Sequence, residues 1–256
     1  MTTFPAPAGR PAPAVPAHRF NLAGLCADAP QPDAPALTDG GLTLSYRELD
    51  RLCEQVAAAL TAAGVRAGDR VAYLGRPALP FLALLLGAAK AGAVAVPVNW
   101  RLTGREAAAV VADCGATLLV LAGDWAAAGA APAGLTADRT TIRHGGDGAG
   151  AGWDDWLAAA PPRAGVAGGG AAGGAAATPL VTAAPGDVAL QLYTSGTTGR
   201  PKGVLLSAEG LARTMGDAIV RWRLHPGSVT LAVLPLFHIA GLGSVLGALP
   251  RPAPRS

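Results

Sequence analysis

The chain has 256 residues, 51% of them hydrophobic, enough for one sizeable core or two modest ones. Its formal charge of +3 comes from 18 Arg and two Lys set against 17 acidic residues, scattered singly and without interleaved aromatics, a pattern that argues against nucleic-acid binding. Cys26, Cys53 and Cys114 stand far apart and outside any CxxC or metal-ligand spacing, which argues against a disulfide framework or a zinc site and suits small buried thiols in a reducing, cytoplasmic setting.

The first 20 residues are rich in Pro and Ala and hold no apolar run of signal-peptide length, so a flexible tail is expected over 1–35. A first α/β subdomain is expected over 36–125. It opens with a helix starting at Ser45, where Glu48 completes a capping box, and closing at Gly64. Leu49, Leu52, Cys53, Val56 and Leu60 recur at three- and four-residue steps and define the face that packs on a sheet. Val71 and Tyr73 suit a strand, and Pro77 to about Ala91 a long apolar helix; AVAVPV then reads as a second strand. The stretch from Pro77 to Val98 is the most membrane-like, but Lys90 interrupts it, Gly87 and Gly92 break it and Pro97 ends it, so no transmembrane segment is expected. Thr103 and Glu106 form a second capping box, Gly115 can end that helix, and Thr117 to Leu121 supplies another strand. Strands that are continuous apolar runs, alternating with helices, predict an α/β fold with a parallel-rich sheet covered by helices.

Residues 126–186 read as an Ala/Gly-rich connector, since 13 of the 14 residues from Ala164 to Ala177 are Ala or Gly. Trp153 and Trp156 could anchor one helical turn onto the body or, on a sharper reading, form a platform for a ring; with no basic residue beside them, packing is favoured. Order returns at Asp187, and 187–247 is expected to form a second α/β segment that is incomplete. VALQLY there reads as a strand running into TSGTTGRPKG, Thr194 to Gly203. A helix follows, capped by Ser207, with Leu211, Met215 and Ile219 on one face.

TSGTTGRPKG combines the hydroxyls of Thr194, Ser195, Thr197 and Thr198 with Gly196, Gly199 and Lys202. Glycines let successive backbone N–H groups turn inward, hydroxyls add donors, and an ammonium offsets charge, which together suit a triphosphate. The loop follows a strand, and ligands of open α/β folds gather at the carboxyl ends of parallel strands. The plain alternative is a turn that merely joins two elements. The string is not a Walker A loop, because Lys202 follows Pro201 and precedes Gly203.

YTSGTTGRPKGV closely resembles the phosphate-loop signature of the adenylate-forming, AMP-binding enzymes: acyl-CoA synthetases, luciferase-like ligases and peptide-synthetase adenylation domains. GAAKAGAVAVPVNWRL and PLFHIAGLG (Pro235 to Gly243) are similar to stretches of the same family in the same order. The resemblance implies the N-terminal portion of that family's fold. It also implies ATP-dependent activation of a carboxylate to an acyl-adenylate, then capture by a thiol such as CoA, with Mg2+ as cofactor. Thr194, Ser195, Gly196, Thr197, Thr198, Gly199 and Lys202 would hold the ATP phosphates, and Phe237 and His238 would border the carboxylate pocket. For His238, a ring packed at a strand end and bonded to a backbone carbonyl is the other reading.

Against the family pattern, no downstream Tyr-Gly-x-Thr-Glu segment, ribose-binding Asp or C-terminal domain with its Lys is found, and 248–256 is a Pro/Arg-rich tail. The expectation is therefore a truncated copy, not competent alone, with no catalytic set complete. A separate polypeptide supplying the missing part, and a non-catalytic nucleotide-binding or interaction module, are the remaining readings.

Overall fold

The computed structural model describes residues 22–127, 134–136, 138–145, 151–161, 184, 186–194, 201–225 and 227–249. After a 3-10 turn at Leu22–Gly24, the chain forms a hairpin that the sequence reading did not anticipate, β1 (Pro35–Asp39) and β2 (Leu42–Ser45). Gly40 and Gly41 turn it with φ of 55° and 89°, the double left-handed geometry that matches the twist of two antiparallel strands.

The expected capping boxes are present. At α1 (Tyr46–Ala62), Ser45 N–H donates to Glu48 Oε2 at 2.8 Å while Glu48 N–H donates to Ser45 Oγ at 3.3 Å. At α3 (Gly104–Asp113), Thr103 and Glu106 repeat the arrangement. Between them lie β3 (Arg70–Leu74), α2 (Leu79–Lys90) and β4 (Val94–Val98). Helix α2 has no cap of its own, since Ala78 precedes it, but Asp39 at the end of β1 accepts from Leu79 N–H at 2.7 Å. The stretch read as membrane-like is thus a buried helix followed by a buried strand. Among the described residues no helix is long and apolar enough to cross a membrane.

β5 (Ala116–Ala122) follows α3, so the chain leaves β4 on one side of β3 and returns on the other. Side chains of β3 therefore alternate between two cores. Val71 and Tyr73 face α1 and α2, whereas Ala72 and Leu74 meet Ala107, Val110 and Val111 of α3.

The structure differs from the sequence reading across 126–186. After α4 (Asp124–Ala127), Thr140–His144 forms β6, parallel to β5, and β7 (Ala151–Gly152) pairs beyond it. TTIRH carries one large apolar residue and no period of its own. Thr140, Thr141 and Ile142 are β-branched and suit a strand, a signal the sequence reading passed over, and the edge of β5 pairs Leu118 with Thr140 and Val120 with Ile142. α5 (Trp153–Ala158) then buries Trp153 to 5% exposure, with Trp156 at 5.4 Å between ring centroids. Packing is the role of this Trp pair. The tract Ala164–Ala177 lies outside the described residues.

β8 (Val188–Thr194) joins β4 in parallel through Ala95↔Leu190, and β9 (Lys202–Ser207) pairs antiparallel with β8. The seven-stranded sheet has the order β7-β6-β5-β3-β4-β8-β9. It is parallel except at β9. Ser207 caps α6 (Ala208–Arg221) by accepting from Gly210 N–H at 3.1 Å, and Leu211 and Met215 of that helix are buried with Leu242 and Leu246 of α7 (Ile239–Ala248).

Cys26, Cys53 and Cys114 are buried free thiols, and burial pushes Cys26 up to about 12, which keeps it neutral and unreactive. Lys90 of α2 is a buried cation, 1% exposed against α1, with Nζ at 2.6 Å from Glu54 and 2.9 Å from Asp50. Burial alone pulls its pKa down, and the hydrogen bonds and charges of Glu54 and Asp50 outweigh it, leaving a net upward shift. Removing one partner of a buried pair leaves the other charges uncompensated at a cost of about 3–5 kcal/mol. Lys90→Ala should therefore lower the urea midpoint by far more than Arg213→Ala, whose partner Glu209 sits in an exposed pair at 2.6 Å.

Among the described residues, nine of the ten exposed large hydrophobics lie between Val204 and Ile239, including Val229 at 98%, Leu231 at 81% and Val233 at 72%. Such a concentrated apolar strip promotes association. Analytical ultracentrifugation at micromolar concentration should show reversible oligomers that the triple substitution Val229→Ser, Leu231→Ser, Val233→Ser shifts toward monomer; an unchanged distribution would contradict this.

Candidate functional site

Three parallel strands bring the candidate residues to one edge of the sheet. β3 ends at Leu74, β4 at Val98 and β8 at Thr194, all at their carboxyl ends. The antiparallel partner β9 starts at Lys202, and Thr194 pairs with Lys202 in register. The two ends of the Gly- and Thr-rich segment are thereby held side by side at the position that open α/β sheets use for ligands. Thr194 and Lys202 are both exposed there. Ser195, Gly196, Thr197, Thr198 and Gly199 lie outside the described residues.

The stem of this hairpin carries a side-chain chain that the sequence reading missed. The Tyr193 hydroxyl donates to Asp113 Oδ2 at 2.5 Å, at the end of α3, and accepts from Gln191 Nε2 at 3.0 Å. Gln191 Oε1 in turn accepts from Arg70 Nε at 3.4 Å, at the start of β3. Burial, then the hydrogen bond to Asp113, pushes the Tyr193 phenol above its ordinary range, so it stays a neutral donor. The layer also explains Gly203. A Cβ there would stand 2.6 Å from Gln191 Nε2 and 3.3 Å from the Tyr193 ring, so the position opposite Tyr193 admits no side chain without displacing the pair.

Phe237 and His238 arrive from the other direction. Phe237 is 6% exposed and lines a cleft with Tyr73, Gly75, Phe81, Pro97 and Val98, at the carboxyl edge of β3 and β4. Tyr73 closes the floor, its ring 5.2 Å from that of Phe81 and its hydroxyl donating to Arg76 O at 3.0 Å. His238 is exposed and stands at the N-cap of α7, its ring 4.5 Å from Phe237. It is not packed at a strand end. The main chain reverses tightly before it, with His238 N–H donating to Pro235 O at 3.1 Å.

A cationic cluster unforeseen from sequence completes the edge. Arg76 and Arg101 lie on the Trp100 ring at 4.4 and 5.0 Å, and Trp125 Nε1 donates to Trp100 O at 3.1 Å. In the sequence NWRL stood only as the end of GAAKAGAVAVPVNWRL, a stretch similar to the AMP-binding enzymes. The stacking joins the loops after β3 and β4, a tertiary event with no local signal.

Gly241 is the position where this arrangement is least tolerant. A Cβ would meet Pro235 O at 2.3 Å, and backbone cannot yield as a side-chain tip can. Overpacking of this kind costs about 1–3 kcal/mol. Gly241→Ala should lower the thermal midpoint and loosen the turn that Pro235 O closes before α7, measured as faster hydrogen exchange over 235–243.

Comparison with known proteins places the chain as follows. The family model described as AMP-binding enzyme matches residues 27–251. The chain is 36% identical over 225 residues to the fatty acid–[acyl-carrier-protein] ligase ScoC of Streptomyces coeruleorubidus, covering 83% of this chain and 38% of that one. It is 38% identical over 214 residues to a feruloyl-CoA synthase of Amycolatopsis sp, covering 84% and 38%. Among solved structures, ATP-bound MatB from Rhodopseudomonas palustris superposes with a TM-score of 0.74 at 30% identity, covering 90% of this chain and 43% of that one. The chain thus spans about 38% of the length of these two curated relatives.

Proposed function

The chain belongs to the AMP-binding enzyme family, and from that premise we propose that it carries the phosphate-binding part of an ATP-dependent carboxylate ligase. The proposed reaction is attack of a carboxylate oxygen on the α-phosphorus of ATP, expelling pyrophosphate and forming an acyl-adenylate. A thiol, CoA in the first instance, then displaces AMP from the acyl carbon to give a thioester. The observation that supports this reading best is the Thr194↔Lys202 pairing, which closes a Gly- and hydroxyl-rich segment at the carboxyl edge of a parallel sheet.

In this reading Thr194, Ser195, Thr197 and Thr198 donate hydroxyl protons to the β- and γ-phosphate oxygens, while Gly196 and Gly199 let backbone N–H groups approach them. The Lys202 ammonium offsets the charge that builds on the leaving pyrophosphate. Phe237 supplies an apolar wall for the carboxylate's carbon skeleton, and His238, exposed beside it, offers a donor to the carboxylate itself. Mg2+ fits as a passenger on the triphosphate: among the described residues no group of three His, Cys, Asp or Glu side chains is assembled to cage an ion, and Mg2+ is commonly held largely by substrate phosphates. When bound there it would share the phosphate charge.

The curated relatives are more than twice this length, and the step proposed for these 256 residues is ATP binding. The second reading, a nucleotide-binding or interaction module without chemistry, shares the binding step and differs in whether any complement restores turnover.

Isothermal titration with Mg-ATP should show binding to the wild-type chain, weakened roughly tenfold or more by Lys202→Ala, in line with a charge-assisted hydrogen bond of about 1.5–3 kcal/mol. A pyrophosphate-exchange assay over a panel of carboxylates should show no turnover. Exchange with any carboxylate would show these residues to be sufficient; absence of ATP binding would overturn the proposal.

A further inference from the structure

The stem of the Thr194–Lys202 hairpin is attached to the rest of the sheet unevenly. Among the described residues, six registered pairs hold β9 on β8, from Val188↔Ser207 to Thr194↔Lys202, whereas Ala95↔Leu190 is the pair that registers β8 against β4. Backbone bonding therefore fixes the two arms to each other far better than it fixes the hairpin to the body. The orientation of its open end needs another constraint.

We propose that the chain Asp113–Tyr193–Gln191–Arg70 is that constraint, with Tyr193 and Asp113 acting as positioning residues that aim the mouth of the hairpin. Tyr193 is the residue immediately before Thr194, so its hydroxyl bond to Asp113 fixes the arm one peptide from the mouth. Asp113 closes α3, which is itself locked onto β3 and β5 through Ala107, Val110 and Val111. Gln191 ties the same arm to Arg70 at the start of β3, so the arm is held at two heights to two elements. Gly203 opposite Tyr193 keeps the space over this layer clear, and its neighbour Lys202 inherits the alignment through Thr194. None of these four side chains is required to touch a ligand. They act on the phosphate-binding residues through the backbone, a role that rests on the reading of the hairpin as an ATP site.

The bond requires a donor at 193 and an acceptor oxygen at 113, not a charge. Asp113→Asn keeps an acceptor, whereas Asp113→Ala and Tyr193→Phe remove one end each. Because Asp113 is exposed, its loss strands no buried charge, and both Asp113 variants should fold with thermal midpoints near that of wild type; Tyr193→Phe, which also takes the acceptor from the buried Gln191 Nε2, should fold with a somewhat lower midpoint.

The experiment compares the full chain with Tyr193→Phe, Asp113→Ala, Asp113→Asn and the double variant Tyr193→Phe/Asp113→Ala. Two readouts are used: amide hydrogen exchange over 190–194 and 202–206 without ligand, and Mg-ATP affinity by titration. The expected result is exchange accelerated roughly fivefold to tenfold in those segments, and ATP affinity weakened by a similar factor, in Tyr193→Phe and Asp113→Ala. The double variant should be no worse than either single one, and Asp113→Asn should recover most of both effects. Unchanged exchange in Tyr193→Phe would overturn the inference. So would accelerated exchange with unchanged ATP affinity, or an Asp113→Asn variant as impaired as Asp113→Ala. If the wild-type chain binds no ATP, the ligase reading fails while the exchange data still decide whether this bond holds the hairpin.

Discussion

A parallel strand delivers its carboxyl end to the same edge as its neighbours, and the pairing of β8 with β4 makes this rule decide where everything functional lies. Residues 188–194 enter the sheet some ninety positions after β4. Had they paired antiparallel, Thr194 would emerge at the opposite edge from Gly75 and Asn99, and the Gly- and Thr-rich segment would face away from the Phe237 cleft. Because the pairing is parallel, the open end of the β8–β9 hairpin, the Trp100 cluster and the cleft lined by Tyr73 and Pro97 share one rim.

The price of that arrangement is borne by the elements under the rim. α1 and α2 pack on one face and α3 on the other, so the strands between them are apolar on both sides. Lys90 of α2 is buried there too, an ammonium held by Glu54 and Asp50 of α1. A well-packed apolar residue would serve stability as well or better. What the triad does impose is a single angular register between α1 and α2, since only one rotation of each brings both carboxylates onto the same nitrogen.

The far side of the hairpin is less finished. β9 is antiparallel and forms an edge, and Val204 and Leu205 on it are exposed along with Val229, Leu231 and Val233. Exposed apolar residues on an edge strand are a feature that sheets commonly blunt, because such an edge invites pairing with other chain.

Much of the fold was legible in the residues alone. Both capping boxes, the helix stops at Gly64 and Gly115, and the apolar strands β3, β4 and β5 rest on local chemistry that the neighbours of each residue already specify. The family, too, was legible, because TSGTTGRPKG is a contiguous string whose chemistry is read residue by residue. Other features needed the folded chain. β6 takes its place against β5, although Thr140 to His144 offers only a short β-branched run with no alternation to mark it. The Tyr193 bond joins residues eighty positions apart, and Arg76 reaches Trp100 across two loops. Even Gly203, which looks in sequence like one more phosphate-loop glycine, is small because a tyrosine and a glutamine from the neighbouring strand occupy the space above it. Short-range rules set which elements form and what their ends contain; long-range pairing, which no local pattern encodes, decides which of those ends meet.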